Sequence, residues 1–269
     1  AANVDEVLSR GGNLLIPAFA VERTQVVLED LVALFESGRL RPFNVFVDSP
    51  LAERVTRATQ RHRHAGYDLL SVPNIRFIHD VEESKKLNSM NGAVIMAGSG
   101  MCQGGRIRHH LIHNLPHPKA RVLLVGYQVA GTLGSVLRYG ARHVRISGHD
   151  VPVRADVKML DSYSTHADRP ALLEWIKARA PVSGSVFLVH GEAHSLQTLE
   201  KDVAGATVAW SVVTPMLGER WTVSANHPAK RVGTARADLD ARIAPRDWTA
   251  SFAALESSLA DRLRALPSD

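Results

Sequence analysis

The sequence predicts an α/β protein built on a mostly parallel sheet covered by helices. Short apolar runs bounded by turn residues alternate with stretches of helical periodicity, and the order β-α-β-α repeats through the first half of the chain. The chain has 269 residues, 45% of them hydrophobic and 22% charged. That supplies enough apolar surface for a real core. At ~150 residues per domain, the length suits one large or two small domains.

The elements follow in order. Asn13–Pro17 reads as a buried strand after Gly11-Gly12, and Val26, Val27, Leu31, Leu34 and Phe35 recur at helical spacing between Glu22 and Phe35. Asn44–Val47 is a strand whose end, and the next helix start, are marked by Asp48-Ser49-Pro50. A helix over Leu51–His62, a strand over Asn91–Met96 and a helix from about Gly104 to Asn114 continue the alternation. Pro116 and Pro118 mark a seam. Beyond it Arg121–Gly126, His143–Ile146, Val151–Ala155 and Ser185–Val189 read as strands, with a helix over Arg169–Ala178. After Val223 comes a charged stretch and an amphipathic helix carrying Phe252, Leu255, Leu259 and Leu263. That helix packs either on its own domain or against a second chain, which would make a homodimer.

Composition excludes several classes. No run approaches the ~18–20 uncharged apolar residues of a spanning helix, so no membrane partner is expected. Asp5 and Glu6 stand where a secretory signal carries cations. The single cysteine, Cys102, permits neither an intrachain disulfide nor a cysteine–zinc site, which points to a reducing, cytoplasmic location. The net charge of +5 allows a polyanionic partner without demanding one. The chain begins without methionine, already in structured-looking sequence, and reads as part of a longer protein.

Three constellations carry chemistry. Ala97–Arg106, rich in glycine, lies between a strand and a helix. Glycines let the backbone approach a ligand, free N–H groups at a helix start favour an anion, and Arg106 would grip a phosphate. A tight connection with no ligand would look similar. Asp161–Asp168 places His166 among small hydroxyl residues at a helix start, a position suited to proton transfer or phosphate contact. Asp168 is equally a helix N-cap. Val186–Glu192 delivers His190 at the carboxyl end of an apolar strand, where open α/β sheets build their sites. His109, His110 and His113 have no carboxylate or cysteine at ligand spacing and read as a polar face, though His109 and His113 stand at the i, i+4 spacing of two zinc ligands. Arg61-His62-Arg63-His64 reads as a solvated turn.

Taken in order, GGNLLIPAFAVERTQ, VDSPLA, IMAGSGMCQGGRIRHHLIHNL, VLLVGYQVAGTLG, VPVRADVKMLDSYSTHAD and FLVHGE resemble the C-terminal portion of the β-CASP metallo-β-lactamase nucleases. This group contains the cleavage-and-polyadenylation endonuclease and its bacterial relatives. The resemblance runs from Gly11 to about Val223. It implies a metallo-β-lactamase αββα sandwich, present in part, with an inserted α/β β-CASP domain. Residues 1–118 would be part of the β-CASP domain, 119–223 the returning sandwich with its RNA-specificity region, and 224–269 a C-terminal extension. Ser-Thr-His replaces the usual Ser-Ala-His, and His149-Asp150 the common Gly-Glu.

The activity the resemblance implies is zinc-dependent hydrolysis of RNA phosphodiester bonds by the whole protein. His166 matches the histidine that assists proton transfer or holds the scissile phosphate. His190 matches a ligand of one zinc in a two-zinc (Zn2+) site. Ser99, Gly100, Met101, Arg106 and Ser164 would contact single-stranded RNA. The HxHxDH motif of the family is absent from this sequence, so the resemblance implies an incomplete ligand set and an inactive chain. Two other readings stand beside it: a catalytically dead β-CASP module that binds RNA or a partner subunit, and a hydrolase of the wider metallo-β-lactamase superfamily.

Overall fold

The computed structural model describes residues 1–62, 67–163, 166–206 and 210–233, which divide into two units, one ending at Tyr163 and the other starting at His166. The expected C-terminal helix at Phe252–Leu263 lies outside the described residues, and so does Ser164.

The first unit contains α1 (Ala2–Ser9), β1 (Leu14–Pro17), α2 (Arg23–Glu36), β2 (Val45–Asp48), α3 (Pro50–His62), β3 (Ile75–Phe77) and α4 (Val81–Lys86). It continues with β4 (Val94–Ala97), α5 (Ile107–Asn114), β5 (Arg121–Leu124), α6 (Leu133–Arg138), β6 (His143–Ile146), β7 (His149–Pro152) and β8 (Asp156–Met159). Six strands form one parallel sheet in the order β3-β2-β4-β1-β5-β8. Every residue of β1, β2, β4 and β5 is buried, as befits strands covered on both faces. The edge strands β3 and β8 are only partly buried.

Strand alternation sorts the core onto the two faces. Leu14 and Ile16 of β1 point to the face packed by Val27, Leu28 and Leu31 of α2 and Ala52 of α3. Leu15 points the other way, against Ile107 and Leu111 of α5 and Leu137 of α6. Phe46 and Ile95 pack beside them with Ile78 and Leu87.

This distribution follows from handedness. Right-handed crossovers place helices of left-running connections on one face and those of right-running connections on the other. The connections from β1 and β2 run one way, while those from β3 and β4 run back. Connections from the adjacent strands β2 and β4 therefore diverge, and open α/β sheets bind ligands at the carboxyl ends of strands at such a switch point.

The Pro116–Pro118 seam does not end the sheet. β5 pairs with β1 and β8 with β5, so residues beyond 118 complete the same layer. Periodicity identifies a strand but not its neighbours. Arg121 secures this edge from a buried position, reaching Asp156 at 2.5 Å, Glu6 at 2.9 Å and the Asn3 carbonyl at 3.0 Å. Of the strand expected at Val151–Ala155, only Val151 and Pro152 are strand, at the end of β7, which closes a hairpin with β6; β8 begins beyond it at Asp156. Ser147 (φ 51°) and Gly148 (φ 85°) make the hairpin's two-residue turn, both in the left-handed region that such hairpins require.

The second unit holds α7 (Arg169–Lys177), β9 (Ser185–Phe187), α8 (Ala193–Ala206), β10 (Ser211–Val213), β11 (Arg220–Thr222) and β12 (Lys230–Gly233). β9 and β10 are parallel and joined through α8, and β11 and β12 are antiparallel. Among its described residues, Ile176, Leu188, Val203 and Val213 are the buried hydrophobic ones. No described helix is long and apolar enough to cross a membrane.

Candidate nucleic-acid interface

The glycine-rich segment leaves the carboxyl end of β4, at this switch point. Its backbone folds on itself: Ser99 N–H donates to the Gly104 carbonyl at 2.9 Å, and Cys102 N–H to the Ser99 carbonyl at 3.1 Å. The Ser99 hydroxyl oxygen accepts from the N–H groups of Gln103 and Gly104. The Gly98–Ser99 peptide is cis. Gly105 has φ +74°, and a Cβ there would stand 2.3 Å from the Gly98 carbonyl oxygen, so both conformation and close approach require glycine. Several N–H groups expected to face a ligand are thus spent within the loop. The N–H groups of Gly100 and Met101 have no partner among the described residues.

Two neighbouring loops hold this segment. After β5, Gln128 donates its side-chain N–H to the Gly100 carbonyl at 3.0 Å, and Gly134 N–H donates to the Met101 carbonyl at 3.1 Å. After β1, the Phe19 ring rests on Gly100, where a Cβ would stand 2.8 Å from two ring carbons.

Arg106 is engaged inside the fold. Its Nη1 donates to Asp48 Oδ1 at 2.6 Å and its Nη2 to the His79 carbonyl at 2.9 Å. Asp48, at the carboxyl end of β2, also accepts from Ser84 Oγ at 2.6 Å and lies 2.7 Å from His110 Nε2. The other ring nitrogen of His110 lies 3.1 Å from Asn88 Oδ1. Burial raises the Asp48 pKa, but hydrogen bonds from His110, Ser84 and Arg106 together outweigh it and hold the carboxyl below its usual range. The guanidinium that sequence offered to a phosphate therefore already balances a buried carboxylate. Its side chain keeps 24% exposure and borders a cavity of about 710 Å³ that His109, His113 and Lys85 also line.

Sequence reasoning missed this cluster. Asp48 read as a strand terminator and His110 as part of a polar face. A carboxylate closing an otherwise apolar buried strand must find partners, and that was the available signal.

The second unit carries the two histidines. His166 is exposed just before α7, and Asp168 caps that helix by accepting from Ala171 N–H at 2.9 Å. His190 follows β9 with φ +62°, a left-handed conformation that histidine adopts more readily than most residues. It is exposed and borders a groove of about 380 Å³ with Arg169, Val189, His194 and Leu196. Gly191 follows, and a Cβ there would stand 2.8 Å from the Leu196 side chain, which would have to shift.

The six-stranded parallel sheet agrees with the comparisons. The β-CASP domain family matches residues 24–137, and the Zn-dependent metallo-hydrolase RNA specificity domain family matches residues 150–215. The chain belongs to the β-CASP metallo-β-lactamase ribonuclease family. It is 39% identical over 214 residues to Ribonuclease TTHA0252 of Thermus thermophilus, covering 75% of this chain and 48% of that protein. It is 30% identical over 219 residues to the transcription termination factor FttA of Thermococcus kodakarensis, covering 74% and 33%. It is 29% identical over 196 residues to an RNase J-like protein of Methanocaldococcus jannaschii, covering 71% and 46%. The chain thus spans between a third and a half of the length of these relatives.

The family is zinc-dependent by description. Among the described residues, no three His, Cys, Asp or Glu side chains gather closely enough to hold a metal ion. Zinc takes three or four protein donors. The described residues do not amount to a zinc site, and His190 offers a single imidazole.

Proposed function

We propose that this chain is the RNA-binding part of a zinc-dependent, RNA-processing phosphodiesterase located in the cytoplasm, and that by itself it is catalytically inactive. The observation that carries this reading is the glycine-rich loop at the sheet's switch point, in a chain whose next segment matches an RNA-specificity domain. Gly100 and Met101 would offer backbone N–H groups to RNA phosphates, with Ser99 shaping the loop, Arg106 supplying positive charge and Ser164 adding a hydroxyl contact. His166 would assist proton transfer or hold the scissile phosphate, and His190 would contribute one zinc ligand to a site needing further donors. No catalytic step is assigned to zinc within this chain, because its described residues do not form a zinc site.

The test uses the purified chain after exposure to zinc. Metal content, cleavage of single-stranded RNA and RNA binding are measured together. The expected result is RNA binding that weakens steeply with salt, with substoichiometric zinc and no turnover. Two bound zinc ions with turnover would overturn the inactivity. Absence of RNA binding at low salt would overturn the binding role.

A further inference from the structure

Phe19 breaks the burial pattern of its surroundings. Leu14, Leu15, Ile16 and Ala18 are at most 2% exposed and Pro17 is buried, yet Phe19, which follows, is 45% exposed. Leaving an aromatic ring in water forfeits the stabilisation its burial would give. The ring is nevertheless held in place. Gly100 supports it, and Thr24 fixes its backbone by donating both N–H and hydroxyl to the Phe19 carbonyl. A second half-exposed aromatic, Tyr127 at 52%, leaves the same edge of the sheet from the adjacent strand β5. Its neighbour Gln128 is bonded to the Gly100 carbonyl.

We infer that Phe19 is a base-stacking residue: its ring forms a platform for one nucleobase of single-stranded RNA, with Tyr127 bordering the next position. The inference rests on the proposed RNA-binding role and adds a subsite to it. The chemistry is complementary. Every nucleobase has a π face that stacks on an aromatic ring without regard to sequence, while backbone amides hold the adjoining phosphate. The Gly100 and Met101 N–H groups lie in the loop on which the ring rests. A ring fixed before the ligand arrives loses little side-chain freedom on binding, which favours affinity.

The experiment compares binding of the chain to oligouridylate and to an abasic ribose-phosphate strand of equal length, for the wild type and Phe19→Leu. Leucine keeps apolar packing on Gly100 and removes the π face. The wild type is expected to prefer the base-bearing strand by roughly tenfold. Phe19→Leu should lose most of that preference with unchanged affinity for the abasic strand. A preference unaltered by Phe19→Leu would overturn the stacking role, as would equal binding of both strands by the wild type. Binding of neither strand would overturn the RNA-binding role itself. A thiouridine-bearing strand photocrosslinked to the wild-type chain gives a readout that needs no variant. Adducts are expected on the peptide containing Phe19, and adducts confined to other peptides would contradict the inference.

Discussion

Arg106 reaches from the start of α5 to Asp48 at the end of β2, with 2.6 Å between Nη1 and Oδ1. The contact ties the glycine-rich loop to a carboxylate whose side chain is 0% exposed. His110, also 0% exposed, meets the second oxygen of the same carboxylate at 2.7 Å. Two groups of β-CASP sequence, VDSPLA and GGRIRHH, are thereby joined through one buried charge. The loop is set by this anchor as well as by its own glycines.

Replacing Asp48 by Asn should therefore be costly. Breaking one side of a buried pair leaves its partners uncompensated, and the expected loss is about 3 kcal/mol. Urea unfolding of the purified chain measures it. A loss below about 1 kcal/mol would mean that Arg106 and His110 are satisfied without the charge.

The same carboxylate gives a pH signature. Its folded pKa lies below its ordinary value, so the stability it contributes is complete above about pH 4 and is lost as pH falls through the lowered folded value. The stability difference between wild type and Asp48→Asn should shrink on acidification below about pH 4. A difference constant through the acid range would contradict the assignment.

Gly105 and Gly104 provide a matched pair. Gly105→Ala meets positive φ and a carbonyl oxygen at 2.3 Å, whereas a Cβ at Gly104 meets nothing within 4 Å. The first should destabilise the chain by about 2 kcal/mol or more and weaken RNA binding; the second should stay within about 0.5 kcal/mol. Equal effects at the two positions would show that the loop is not held in this conformation.

Cys102 tests the interior behind the loop. Burial pushes its thiol up to about 12, leaving almost no thiolate at neutral pH. Thiol reagents should label the native chain slowly and the urea-unfolded chain quickly. Rapid native labelling at neutral pH would show that the loop opens readily.

The central strands were legible because a parallel sheet covered on both faces writes itself as short, continuous apolar runs. Asn13–Pro17 and Asn44–Val47 differ from β1 and β2 only at their ends. β3 was not legible: Ile-Arg-Phe is a three-residue edge strand with little pattern to read. The polar helix α4 also escaped, since VEESKK has only Asp80 as its capping signal. Sheet membership beyond Pro118 depends on pairing between distant segments, which local periodicity does not encode. At the candidate site, the Gly98–Arg106 segment and the two histidines were visible as motifs. The partners of Arg106 were not, because Asp48 lies 58 residues away in sequence. Phe19 read as part of a motif, and only its exposure in the fold distinguishes it from the buried residues before it.

RNA affinity as a function of salt tests the central claim most directly. The wild-type chain and Arg106→Ala are titrated with one single-stranded RNA from about 50 to 200 mM salt. The wild type should lose affinity steeply. Arg106→Ala should bind more weakly with a flatter slope, through loss of its charge and of the loop's anchor on Asp48. Identical affinity and slope for the two proteins would remove the loop from the RNA-binding surface and contradict the account.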